Sequence, residues 1–91
     1  MKKRYPKGMT VVNVDTTTDV VKLYDTNIVK RDWAFLEFNS GGWRTRHTLK
    51  CTNRYLQEAG INAKVFQRKG EWFVNVKNTV LRYHDGLTVS Y

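Results

Sequence analysis

The sequence predicts an α+β fold: a small antiparallel sheet of five to six short strands, ordered strand-strand-strand-helix-strand-strand-strand, with one amphipathic helix packed on one face. Three observations carry this prediction. Short runs of β-branched and aromatic residues are separated by clusters of turn formers. One segment, residues 45–59, has helical periodicity with a capping signal at each end. The chain of 91 residues has room for one core, and a single helix cannot cover both faces of so many strands. At 41% hydrophobic and 13% aromatic it is too apolar for disorder.

Residues 1–9 contain Pro6, Gly8 and four cations with little to bury, and read as a flexible basic arm preceding a single domain over residues 10–91. Residues 11–14 form a β-prone run, followed by the polar cluster Asp15-Thr16-Thr17-Thr18-Asp19. Residues 20–24 and 28–30 alternate around Asp25-Thr26-Asn27, a hairpin signal. Residues 33–38 form an aromatic strand ended by Asn39-Ser40-Gly41-Gly42. On that strand Trp33 and Phe35 point opposite to Leu36 and Phe38, so both faces carry apolar bulk, as a second core, a dimer interface or a stacking platform requires.

In the helix, Thr45 or Thr48 serves as N-cap, Gly60 supplies the left-handed C-cap and Ile61 the apolar contact that goes with it. Leu49, Thr52, Tyr55, Leu56 and Ala59 share one arc; Arg46, His47, Lys50, Asn53, Arg54 and Gln57 share the other. Residues 63–67 and 72–76 flank the turn Arg68-Lys69-Gly70-Glu71, the clearest hairpin in the chain. Asn78 opens a turn into residues 80–83, and His84-Asp85-Gly86 is a second turn before the terminal strand, residues 87–91.

Charge narrows the function classes. Sixteen Lys and Arg against eight Asp and Glu leave a net +8, more cation than solubility requires, which points to an anionic partner. The excess is not spread evenly. Lys2, Lys3, Arg4 and Lys7 occupy the arm without an acid, and Arg44, Arg46, Lys50, Arg54, Lys64, Arg68 and Lys69 face Glu58 alone in residues 38–70. No apolar run is long enough to span a bilayer and no secretory signal opens the chain, so a soluble, intracellular protein without membrane partners is expected. Cys51 is the single cysteine, which rules out an internal disulfide and any Cys-x-x-Cys zinc site.

The central block has the chemistry of a polyanion site. Ser40-Gly41-Gly42 leads through Trp43, Arg44 and Thr45 into a helix N-terminus, where free N–H groups and the helix dipole suit a phosphate. Arg44, Arg46, His47, Lys50 and Arg54 supply phosphate contacts, and Asn53 can read base edges if the helix enters a major groove. Arg68 and Lys69, with the arm residues Lys2, Lys3, Arg4 and Lys7, would clamp the backbone on either side. Trp33, Trp43 and Trp72 are candidates for stacking on unpaired bases, Trp43 foremost because it lies among turn residues beside Arg44. An amphipathic helix with a solvated face and tryptophans in the core accounts for the same residues. His47 and Cys51, four apart, lack a third partner for catalysis or metal binding, and no acidic cluster is present to hold magnesium. No enzyme activity, metal or cofactor is expected.

The run Leu36-Glu37-Phe38-Asn39-Ser40-Gly41-Gly42-Trp43-Arg44-Thr45-Arg46-His47-Thr48, then Asn53, then Val65-Phe66-Gln67-Arg68-Lys69-Gly70-Glu71-Trp72-Phe73-Val74, resembles a group of small tailed-bacteriophage proteins. These share an L-N-S/T-G-G-W/Y-x-T-x-T-T-K pattern, a helical asparagine and a V-F-Q-K/R-x-x-x-W-F/Y-V hairpin. Where that pattern carries Thr-Thr-Lys, this chain has His47-Thr48 followed by Leu49-Lys50. The resemblance covers about residues 20–88, leaves the arm outside, and implies a phage product acting in the cytoplasm of a bacterial host. Two functional readings follow: a non-enzymatic nucleic-acid-binding protein, DNA or RNA, using the cationic helix face, the hairpin turn and the arm; or an effector docking the same face on an acidic host protein. A homodimer through the helix-free sheet face is compatible with both.

Overall fold

Among the residues that the computed structural model describes, 5–42 and 44–91, eight strands and one helix follow in order. They are β1 (Met9–Asn13), β2 (Asp19–Leu23), β3 (Thr26–Arg31), β4 (Phe35–Phe38), α1 (Arg46–Glu58), β5 (Ala63–Arg68), β6 (Glu71–Val76), β7 (Thr79–Arg82) and β8 (Leu87–Ser90). The α+β class and the antiparallel pairing hold. Four strands, not three, lie on either side of the helix, and they divide between two sheets, β1-β2-β3-β4-β8 and β5-β6-β7. The last strand crosses back to pair with β4, Leu36 opposite Val89, so the first sheet is completed by the end of the chain.

Local chemistry explains where strands start and stop. Leu23 pairs with Thr26, so the β2–β3 turn tightens to Tyr24-Asp25 and the expected break at Thr26-Asn27 becomes strand. The register then shifts, Val21 opposite Val29 but Lys22 opposite Asn27, which leaves Ile28 as a bulge residue. That bulge is why the adjacent Ile28 and Val29 are both buried. Strand β4 begins two residues later than expected because the Asp32 carboxylate accepts from the N–H groups of Ala34 (2.9 Å) and Phe35 (2.7 Å), closing a turn that lifts Trp33 out of the sheet. Trp33 is 79% exposed. The β5–β6 hairpin closes on Lys69 and Gly70, both at positive φ (53° and 77°), the two-residue geometry that matches strand twist.

The helix is capped as its sequence implies. Thr45 is the N-cap, its hydroxyl accepting from the Thr48 N–H at 3.2 Å. At the other end Gly60 takes φ +69°, its N–H donates to Gln57 O at 3.1 Å, and Ile61 N–H donates to Leu56 O at 3.0 Å. Thr48, Cys51, Thr52, Tyr55 and Leu56 are buried, whereas Leu49 and Ala59 are only half-buried. The packed stripe is thus turned toward Thr48 and Cys51 relative to the predicted arc.

One apolar cluster joins both sheets and the helix. Phe38 from β4 and Trp72 from β6 meet on Tyr83, with ring centroids 6.1 Å and 5.2 Å away, the second contact nearly edge-on. Trp72 therefore belongs to the core, and burial pushes the Tyr83 hydroxyl up to about 12. The helix is fixed to each sheet by a polar contact. The Tyr55 hydroxyl donates to Asp19 Oδ2 of β2 at 2.8 Å. Asn53 Nδ2 donates to Val65 O at 2.7 Å while Asn53 Oδ1 accepts from Val65 N–H at 2.8 Å. Since β5 is an edge strand, the Asn53 amide pairs that edge as a neighbouring strand would.

Residues 5–9, expected to belong to the arm, lie against this body. Met9 is buried in β1, Tyr24 N–H donates to Gly8 O at 2.8 Å, and a Cβ on Gly8 would fall 2.5 Å from the Tyr24 ring. Residues 1–4 lie outside the described residues.

Asn53→Ala strands both Val65 backbone groups, and at about 1 kcal/mol net per hydrogen bond the expected loss is roughly 2 kcal/mol. Urea denaturation followed by tryptophan fluorescence should show the lower midpoint.

Candidate nucleic-acid interface

The cationic helix face is narrower in three dimensions than on a helical wheel. Arg46, Lys50 and Gln57 are exposed, while His47, Asn53 and Arg54 are half-buried. Asn53 is committed to Val65, which corrects its expected role as a reader of base edges: a base would have to break the edge pairing. Arg54 pairs with Glu58 at 3.1 Å, one turn along the helix. His47 Nε2 lies 2.6 Å from Lys7 O, so the imidazole holds the backbone of residue 7. Lys7 itself is exposed.

The Ser40-Gly41-Gly42 turn is not an open phosphate cradle. Asp85, from the turn before β8, accepts from Ser40 N–H at 2.8 Å and from the Ser40 hydroxyl at 2.7 Å. These bonds, with help from Arg44 and the Gly42 N–H, hold the Asp85 carboxyl below the usual carboxylate range. A carboxylate of the protein thus takes the donors that this turn offers to an anion. Arg44 lies over the Tyr83 ring, its guanidinium carbon 5.4 Å from the centroid, so it steadies the same junction from its exposed position. Trp43 lies outside the described residues.

A second region gathers positive charge from two elements. A shallow groove of about 470 Å³ runs between α1 and β5. Arg46 and Lys50 line it from the helix, Lys64 from the strand, with Leu49 and Phe66 as its apolar parts. No acidic residue lines it. At Lys64 and Phe66 the groove opens onto the outward face of the three-stranded sheet. Inward positions Val65, Trp72, Val74 and Val76 are buried, so Lys64, Phe66 and Arg68 of β5 and Glu71, Phe73 and Asn75 of β6 point away from the core. Phe66 and Phe73 are paired across the strands, stacked with centroids 5.6 Å apart and planes 27° from parallel. Arg82 stands opposite Phe73 on β7 and is paired with Glu71. Arg68 and Lys69 are exposed at the hairpin end of this face.

Arg46 and Lys50 share the predicted helix face and Arg68 and Lys69 the predicted turn. Lys64, expected only as one of the central cations, and Phe66, Phe73 and Arg82 join them in the folded chain; the alternation Lys64, Phe66, Arg68 around the inward Val65 carries the signal.

The reactive candidates are spoken for. Cys51 is buried and burial pushes its thiol up, away from the thiolate that nucleophilic chemistry requires; His47 Nε2 is 3.8 Å from its sulfur. Among the described residues no group of three His, Cys, Asp or Glu side chains is placed to hold a metal ion, and no helix is long and apolar enough to cross a membrane.

Because the Asp85 carboxyl titrates lower in the folded chain than in the unfolded one, its stabilisation is present above the ordinary carboxylate value and is lost as pH falls through the folded value. Asp85→Asn should cost about 1 kcal/mol at pH 7, after allowance for the exposure of this residue. Thermal melts of both forms should converge as the pH falls below the ordinary carboxylate value and the folded Asp85 carboxyl takes up its proton.

No curated protein and no solved structure matches the chain. A family model does, the Kyanoviridae Gp96 protein, over residues 1–90. With the match spanning nearly every residue, the chain belongs to the Kyanoviridae Gp96 protein family, a family of phage proteins.

Proposed function

We propose that this phage protein binds nucleic acid without catalysing a reaction, in the cytoplasm of the bacterial host, with the groove between α1 and β5 as its phosphate-binding surface. The observation that carries this reading is the convergence of Arg46, Lys50 and Lys64 on one groove with no acidic residue in its lining. Three cations drawn from two elements concentrate positive potential where neutralising counterions are readily displaced by a phosphate backbone. Arg68 and Lys69 extend the basic surface along β5 to the hairpin tip, and Lys7 is exposed where its backbone meets His47. Arg44, Arg54, His47 and Asn53 support the surface through the contacts that position them, and the arm residues Lys2, Lys3 and Arg4 enter this reading by charge alone.

Binding to fluorescein-labelled mixed-sequence DNA and RNA, followed by anisotropy, should weaken as salt rises. Three phosphate contacts give a slope of log K against log salt of roughly −2 to −3. Arg46→Glu combined with Lys50→Glu should abolish binding while leaving the melting temperature within a few degrees, because both side chains are exposed. Salt-independent affinity, or unaltered affinity in the double variant, overturns the assignment. Absence of nucleic-acid binding together with retention of an acidic host protein from nuclease-treated lysate supports the effector reading instead.

A further inference from the structure

We infer that the ligand of this surface is single-stranded nucleic acid, with the outward face of β5-β6-β7 as a base-stacking platform, an inference that rests on the nucleic-acid reading proposed above. Register defines the platform. Phe66, Phe73 and Arg82 form one row across the three strands; Lys64, Asn75 and Val80 form the row on one side, and Arg68 with Glu71 the row on the other. Phe66 and Phe73 are half-buried, stacked on each other, and stand on the sheet face away from the core. Lys64 and Arg68 give that face its net positive charge, since Arg82 and Glu71, both exposed on it, pair with each other.

This arrangement fits an unpaired strand better than a duplex. In a duplex the base faces are stacked and closed to protein, and what remains to be read is the groove edge. The helix has one amide fewer for that reading because Asn53 is used on Val65. Aromatic rings flanked by cations, in contrast, are the two components of sequence-tolerant single-strand binding: rings for bases, cations for the backbone. The groove lined by Arg46, Lys50 and Lys64 meets the platform at Lys64 and Phe66, so one strand can follow both. Charge also disfavours a second copy of this chain as the occupant, since a symmetric contact would bring Lys64 and Arg68 toward their own like.

The test compares a fluorescein-labelled oligo-dT of about 12 nucleotides, within the usual footprint of small single-strand binders, with a duplex of the same length. Tighter binding to the single strand is expected, as is a weakening of about 10-fold or more for Phe66→Ala and for Phe73→Ala. Loss of a stacking contact leaves the salt slope unchanged, whereas Lys64→Gln should make the slope shallower by about 0.7. Phe66→Leu keeps most of the apolar volume and removes the ring, so it separates stacking from stability; its melt should match the parent while single-strand affinity drops. Equal or tighter duplex binding, or full single-strand affinity in Phe66→Leu, overturns the platform and leaves the groove reading standing. Failure to bind either probe overturns both. Sedimentation showing a dimer that Phe66→Leu dissociates overturns the platform in favour of a self-association face.

Discussion

The arrangement depends on one side-chain amide. Asn53 closes the open edge of β5 by donating to and accepting from the backbone of Val65, so the helix does for the three-stranded sheet what a fourth strand would do. The same helix, two residues further on, binds the five-stranded sheet through Tyr55 and Asp19. A single helix of thirteen residues thus serves as the shared wall of two sheets. The apolar cluster can then be continuous, and Phe38, Trp72 and Tyr83 seal it from the far side. With its inward residues buried against this cluster, β5-β6-β7 is left with an outward face that carries aromatic and cationic side chains.

Much of the polar chemistry that invites a ligand in the linear sequence is satisfied inside the fold. Asp85 takes the N–H and hydroxyl of Ser40, Lys7 offers its carbonyl to His47, Glu58 takes Arg54, and the Tyr83 ring takes Arg44. Each of these contacts ties a polar or charged group to the fold, although Arg44 stays exposed. What they leave is a smaller and sharper feature. Arg46, Lys50 and Lys64 share a groove without an acid, and Arg68 and Lys69 prolong it. Within the central block the positive charge is thus localised: Arg54 is paired with Glu58, while Arg46, Lys50 and Lys64 converge on one groove.

The degree to which the sequence was legible follows the range of the interactions concerned. Thr45 and Gly60 cap the helix through hydrogen bonds that span a few residues, and those were readable from residue type and position. The β5–β6 hairpin was readable for the same reason, its turn and alternation being local. Trp33 is the local exception: the neighbouring Asp32 accepts from the N–H groups of Ala34 and Phe35, and this short-range turn overrides the β propensity of the aromatic run. The strand count fell short on both sides of the helix, and the split into two sheets was invisible, since no local pattern says that the final strand will pass β7 and pair with β4.

The sequence by itself determined the α+β class, the single helix with its caps, the central hairpin and the concentration of cations in the middle of the chain. These are set by short-range hydrogen bonds, backbone preferences and composition. Only the tertiary structure decided which of the central residues are spent on the fold and which face outward. Asn53 and Val65 are twelve positions apart, Ser40 and Asp85 forty-five, and His47 and Lys7 forty. Their pairing depends on how the sheets close around the helix, and on that closure rests the emergence of Phe66, Phe73 and Lys64 as one continuous surface with Arg46 and Lys50.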